Sequence, residues 1–156
     1  MKIQSSVHTE SLVREVEALY GEVDQCLGRE NIHCRMCGNC CDFKANGLRL
    51  YALESERILI RRRCGAELHL QSGICSARKN ARCTVHPFRP LGCRTQFCDA
   101  TLDHVYEKYK KQLQAVEEDH GIPYSYRDIF LQEDVHRPPG LCPTRTEGAR
   151  TTPTIH

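Results

Sequence analysis

"CRMCGNCC", residues 34–41, places four cysteines in eight positions. Cys34, Cys37 and Cys40 are separated by two residues each, a reach short enough to turn successive sulfurs inward around one centre. Cys41 departs from that rhythm. Side chains of adjacent residues diverge, so Cys40 and Cys41 are expected to serve two centres, or different irons of one cluster, rather than a single mononuclear ion. Thiolates do not accumulate in such a run unaided, because like charges about 4 Å apart repel by about 4 kcal/mol at an effective dielectric of 20. A cation reverses the sign. Structural zinc contributes apparent binding energy of about 10–16 kcal/mol, comparable with the whole net stability of a small domain.

Downstream, "GICSARKNARCTVHPFRPLGCRTQFC" (residues 73–98) supplies Cys75, Cys83, Cys93 and Cys98. With the first four they make an eight-cysteine constellation, enough for two four-cysteine sites. The later spacings are not the paired knuckles of a zinc ribbon, whereas "CGNC" resembles a zinc knuckle. Three cysteines at successive two-residue gaps also match the opening of a bacterial ferredoxin run. Spacing alone leaves zinc and iron–sulfur open. Arg35, Arg82, Arg89 and Arg94 stand beside or near these cysteines and are candidates to donate charge-assisted hydrogen bonds to the thiolates, with solvated surface charge as the plain alternative. His86 is a weaker candidate ligand. Cys26, on the first helix face, and Cys64, at a helix end, read as small buried hydrophobes, and Cys142 as a free thiol in a loose tail.

Composition sets the compartment. The chain has 11 cysteines among 156 residues. "MKIQSSVHTESLVREVEALY" lacks the apolar stretch and cleavage site of a secretory leader, and no segment approaches the roughly 18 apolar residues of a membrane span. A cytoplasmic location without membrane attachment is therefore expected, and there clustered cysteines hold metal or do redox chemistry more often than they form bridges. The formal charge of +2 is too small to announce a nucleic-acid partner. Two four-thiolate centres, at about −2 each, would carry it to about −2.

Around the cysteines the pattern is helical. Leu12, Val16, Leu19, Val23 and Leu27 predict an amphipathic helix over 11–27, with Ser11 as N-cap and Gly28 as stop. "LRLY" (48–51) reads as a short strand and 53–64 as a helix whose early glutamates and late arginines suit its dipole. Residues 66–100 show no sustained period and read as loop and short strand tied down by ligands. Leu102, Val105, Tyr109, Leu113 and Val116 predict a helix over 102–119, and Ser125 with Asp128 a further short helix. No internal repeat stands out. The expected fold is mainly α, a small single domain over 1–136 with minimal β and an irregular, metal-stabilised centre at 34–98, followed by a flexible tail over 137–156.

The pairing of "CRMCGNCC" with "ARCTVHPFRPLGCRTQFC" resembles the YkgJ-type cysteine-cluster family, described as a zinc- or iron-chelating domain with a CxxCxxCC motif. The family's opening motif falls on Cys34, Cys37, Cys40 and Cys41, and its second half on Cys75, Cys83, Arg89, Pro90, Cys93, Arg94 and Cys98. This chain has "GICSA" where the family carries a proline-flanked ligand, which sets Cys75 apart. One branch, the flagellin lysine N-methylases, is thought to carry an iron–sulfur cluster, so the resemblance favours a 4Fe–4S cluster, with zinc the alternative. It implies a redox, electron-transfer or assembly module working with an unidentified protein partner. An enzyme of the methylase branch is a second expectation, although no glycine-rich strand-to-helix loop is present to cradle a methyl donor. A structural zinc scaffold or a nucleic-acid binder using Arg61, Arg62 and Arg63 is a third. That arginine run lacks interleaved aromatic residues, which speaks against nucleic acid.

Overall fold

The longest element is α1, Lys2–Arg29. Its stripe of Leu12, Val13, Val16, Tyr20, Val23 and Leu27 is at most 4% exposed and faces α5, Asp103–Asp119. The two helices run antiparallel. His8, near the start of α1, lies against His120 just past the end of α5, ring centres 4.7 Å apart and tilted by 46°, and Glu30 beyond the end of α1 meets His104 at 3.5 Å. Val105, Tyr106, Tyr109 and Leu113 supply the facing stripe. Each such burial contributes roughly 1.5–3 kcal/mol, so this pair forms the hydrophobic base of the molecule.

The structure, a computed structural model, describes residues 2–97, 102–130 and 154–155. Its helix α1 begins nine residues earlier than the periodicity predicts. Ser11 is therefore not an N-cap; its hydroxyl donates to Glu15 Oε1 at 3.2 Å within the helix. Tertiary partners hold the added turns, because Glu10 is bound by Arg63 at 2.9 Å and His8 by the backbone carbonyl of His120 at 3.2 Å.

Between the long helices the elements are short. A 3-10 turn, Asn39–Cys41, leads into α2, Phe43–Asn46, then β1, Arg49–Ala52, and α3, Glu54–Cys64, closed by Gly65 at φ 65°. Leu50 and Ala52 of β1 point inward. The strand pairs antiparallel with β6, Arg127–Asp128, in the register Tyr51 to Asp128, and parallel with β7, Thr154–Ile155. The helix expected from Ser125 is thus replaced by β6. Leu50 accepts a hydrogen bond from the Ile129 amide at 2.8 Å, and Asp128 turns its carboxylate onto the Phe130 amide, so the chain is drawn into the sheet. Residues 131–153, most of the expected tail, lie outside the described residues.

Residues 66–97, expected as loop and short strand, contain a tandem repeat of hairpins that the sequence hides. Strands β2, Leu70–Gln71, and β3, Ile74–Cys75, form one hairpin; β4, Arg78–Lys79, and β5, Arg82–Cys83, form the next in the same register. Both two-residue turns have positive φ at each position, Ser72 and Gly73 in the first and Asn80 and Ala81 in the second, the geometry that matches strand twist. Ser76 N bonds His69 O and Thr84 N bonds Ala77 O, each at 2.8 Å. Cys75 and Cys83 consequently occupy equivalent places. A second 3-10 turn, His86–Phe88, and α4, Leu91–Thr95, complete the described centre. Helix predominates and the strands are two to four residues long, so the described residues form a small, mainly α single domain.

Candidate metal centre

One buried carboxylate anchors the frame around the cysteines. Glu56, at the third position of α3, accepts from Leu53 N at 2.8 Å, from Tyr20 Oη at 2.8 Å and from Leu91 N at 2.7 Å. It thereby caps α3 and α4 together and ties both to α1. Burial pushes its carboxyl above the usual range, against the pull of these donors. Glu117 of α5 adds a second cap, accepting from Ser55 N at 2.6 Å.

Arg94 belongs to this frame. Its Nη1 donates to both oxygens of Asp24, at 2.6 and 2.8 Å, its Nη2 to Pro87 O, and its guanidinium lies 4.1 Å from the Tyr20 ring centre. The side chain is 1% exposed. Arg94 thus locks α4 and the 86–88 turn onto α1 rather than facing sulfur, and the neighbouring Cys93 is placed by that lock.

The thiols fall into two adjoining groups. Cys34, Cys37 and Cys40 line a cavity of about 20 Å³ together with Gly38, Gln96 and Phe97, room for one water-sized sphere. Met36 N donates to Cys34 Sγ at 3.4 Å, a backbone hydrogen bond of the kind that tunes a ligating sulfur. Cys98 follows Phe97 but lies outside the described residues, as does Cys142. The second group is the smaller apolar cluster of the protein, where Cys40, Cys41, Cys64, Cys75, Cys83 and Cys93 pack with Phe43, Leu50, Ile60 and Val85. Five chain segments deliver these six sulfurs: the 39–41 turn, the end of α3, β3, β5 and α4. Cys40 belongs to both groups.

Electrostatics within the second group is uneven. Hydrogen bonding from Cys41 lowers the pKa of Cys40 and of Cys83, and the same contacts raise that of Cys41 itself. Burial pushes Cys75 to about 11 and raises Cys93, whose surrounding sulfurs add to the effect. Arg89 lies close enough to favour the thiolates of Cys40, Cys83 and Cys93. Its Nη1 donates to His86 O at 2.7 Å and meets His86 Nδ1 at 3.1 Å, while burial and the Arg89 charge lower the His86 pKa. Arg78, which the sequence did not single out, also favours the Cys40 thiolate. Arg82 is exposed on β5, and Arg35 stands in the 34–41 loop beside the cavity.

Gly38 fixes the approach of this loop to the second hairpin. It sits at φ 70°, and a Cβ there would meet Ala81 O at 2.8 Å and Arg78 Nε at 3.1 Å. Only glycine fits that approach.

Among the described residues, no three His, Cys, Asp or Glu side chains are disposed to close round one ion. What the chain does provide is soft-donor side chains close together: six cysteines in one apolar cluster, three around a cavity of about 20 Å³, and the buried Nε atoms of Arg78 and Arg89 without hydrogen-bond partners. Cys34 and Cys26 pack instead against the helical core. The arginine run at the end of α3 is spent on acids: Arg61 on Glu54 and Glu67, Arg63 on Glu10 and Glu17. No helix among the described residues is long and apolar enough to cross a membrane. Compared with protein families, with curated proteins and with solved structures, the chain finds no match.

Proposed function

We propose that the protein is a thiolate metal-binding module, with a 4Fe–4S cluster as the preferred occupant and zinc as the alternative, acting in redox, electron transfer or assembly alongside a protein partner. One observation carries this: six sulfurs from five separate segments meet in a single small cluster, next to an ion-sized cavity lined by Cys34, Cys37 and Cys40. Local sequence preference cannot assemble such a group, and six thiols are a poor substitute for leucines as a core. Deprotonated to thiolates and bridged by a cation, they would become a cross-link between hairpins, turn and helices. The resemblance to the YkgJ-type family supports the same reading through Cys40, Cys41, Cys75, Cys83 and Cys93 of the cluster and Cys34 and Cys37 of the cavity.

The bound group would supply charge neutralisation, and in the iron–sulfur case an electron-accepting centre. The chain's own part is placement. Glu56 and Arg94 hold α4, and so Cys93, against α1; the tandem hairpins bring Cys75 and Cys83 to equivalent positions; Arg89 and Arg78 lower the cost of negative sulfur.

Anaerobic purification followed by an absorption spectrum and elemental analysis tests the proposal. Iron with inorganic sulfide and a brown colour bleached by air supports the cluster. Stoichiometric zinc in a colourless protein supports the scaffold. Neither metal, in protein whose Cys41→Ser and Cys83→Ser variants behave like the parent, overturns both.

A further inference from the structure

We propose that the groove beside Arg89 and His86 binds an organic carboxylate that carries an apolar chain. The site uses no metal and no sulfur ligand, so it stands apart from the proposed metal-binding role.

Two unsatisfied donors mark the place. Arg89 Nη1 has only protons to give, so His86 Nδ1, 3.1 Å away, accepts, and this neutral ring carries its proton on Nε2. That Nε2–H is buried without a hydrogen-bond partner among the described residues, and so is Nε of Arg89. Buried donors of this kind call for an acceptor.

Charge points the same way. Among the described residues the hydrogen bonds of Arg89 run only from Nη1 to His86, at 2.7 Å to its carbonyl oxygen and 3.1 Å to its ring. The carboxylate that Arg89 feels is Asp24, yet both Asp24 oxygens are already held by Arg94 Nη1, at 2.6 and 2.8 Å. Two arginines thus share one acid, and one positive charge is left over. The edge of Arg89 away from His86, Nε with Nη2, is the one that pairs side-on with both oxygens of a carboxylate.

His86 and Arg89 line an open groove of about 480 Å³, within the range of small-molecule sites. Leu27, Ile32, Pro87 and Phe97 give it apolar walls for the chain of the ligand. Asp24 stands on the same wall and disfavours a dianion such as phosphate, whereas a monoanion matches the single charge left over. Because Nε of Arg89 is buried, its fork turns toward the groove as the carboxylate arrives.

Titration of nitrogen-15-labelled protein with acetate, butyrate, hexanoate and octanoate, followed through amide and arginine Nε–H resonances, tests the site. The expected result is saturable shifts at Gly28, His33, Phe97 and the Arg89 Nε–H, with affinity rising about two- to four-fold for each methylene buried. Arg89→Met, in protein whose amide spectrum keeps the parent's dispersion, should weaken octanoate binding about ten- to a hundred-fold. His33→Glu changes an exposed position on the groove wall and spares the fold; repulsion should weaken binding about three- to ten-fold. If Arg89→Met does not fold, His33→Glu decides. Shifts that never saturate, or that centre on exposed apolar residues such as Val7 and Leu70, would overturn the inference. So would an affinity indifferent to chain length, displacement of octanoate by equimolar inorganic phosphate, or undiminished binding in His33→Glu.

Discussion

The two apolar clusters of this protein are built on different terms. Around α1 and α5 the core is leucine, valine and tyrosine at helical spacing. Around the hairpins it is sulfur, with a few aliphatic and phenylalanine side chains between. The helical cluster holds itself chiefly by burial, with Tyr20, Asp24 and Glu10 adding polar ties. The sulfur cluster has strands of two residues, a four-residue helix and four half-buried thiols with Cys41 and Cys75 at 9% and 6% exposure, so it offers less apolar area to offset the entropy of ordering it. A region of that kind is stable when something bonds its parts together, and the contrast locates where a cation would matter.

The largest expected effect is therefore confined to one side. Stripping metal by chelation should raise amide exchange across residues 39–93 by orders of magnitude, drawing on up to about 10 kcal/mol of apparent binding energy, while α1 and α5 keep their protection. Equal loss in both regions would show one cooperative unit instead of two. Leu113→Ala turns the comparison round. It empties a site 1% exposed in the helical core and should cost about 2–5 kcal/mol in urea unfolding with metal content unchanged.

Glu56 joins the two regions, and its titration distinguishes them. The native carboxyl sits above its ordinary value of 4.5 because it is buried. Such a group contributes its full stability below the unfolded value and loses it as pH rises through the native one. In stripped protein, stability should thus decline as pH climbs above 4.5, and Glu56→Gln, which sets an amide against one of the three donors at a cost of about 1–3 kcal/mol, should flatten that decline. Metal retention must run the opposite way, failing as pH falls, since thiols such as Cys75, pushed up to about 11, bind only by releasing a proton. Parallel pH profiles for stability and metal content would refute the division.

Smaller effects sharpen it. Gly38→Ala should cost about 1–2 kcal/mol for its φ of 70°, more for the approach to Ala81, and lower metal retention without loosening α5. Ser11→Ala should change thermal stability by less than about 0.5 kcal/mol, because the hydroxyl is exposed mid-helix and caps nothing.

The same contrast explains what could be read in advance. The stripes of α1 and α5 announce themselves because a helix repeats its buried face every three or four residues, and β1 and α3 fell within a residue of their expected limits. The start of α1 and the strand β6 did not, since each depends on partners far along the chain: Arg63 and His120 for the first, Leu50 for the second. The hairpins left one faint signal, the recurrence of "ICS" and "RCT" at Cys75 and Cys83, too short to count as a repeat. Cys64, expected as a small buried hydrophobe, is half-buried at the end of α3 and packs against the second apolar cluster, and only the fold says which cluster that is. Arg78 was passed over and Arg94 assigned to sulfur because adjacency in sequence does not say which way a guanidinium turns.

The central claim is that cations hold the sulfur cluster together, and metal content per chain measures it most directly. Elemental analysis of protein purified without oxygen should find iron or zinc in at least stoichiometric amount, falling at least by half in Cys83→Ser. Metal-free protein whose hairpin region is as protected from exchange as α1 and α5 would contradict the account.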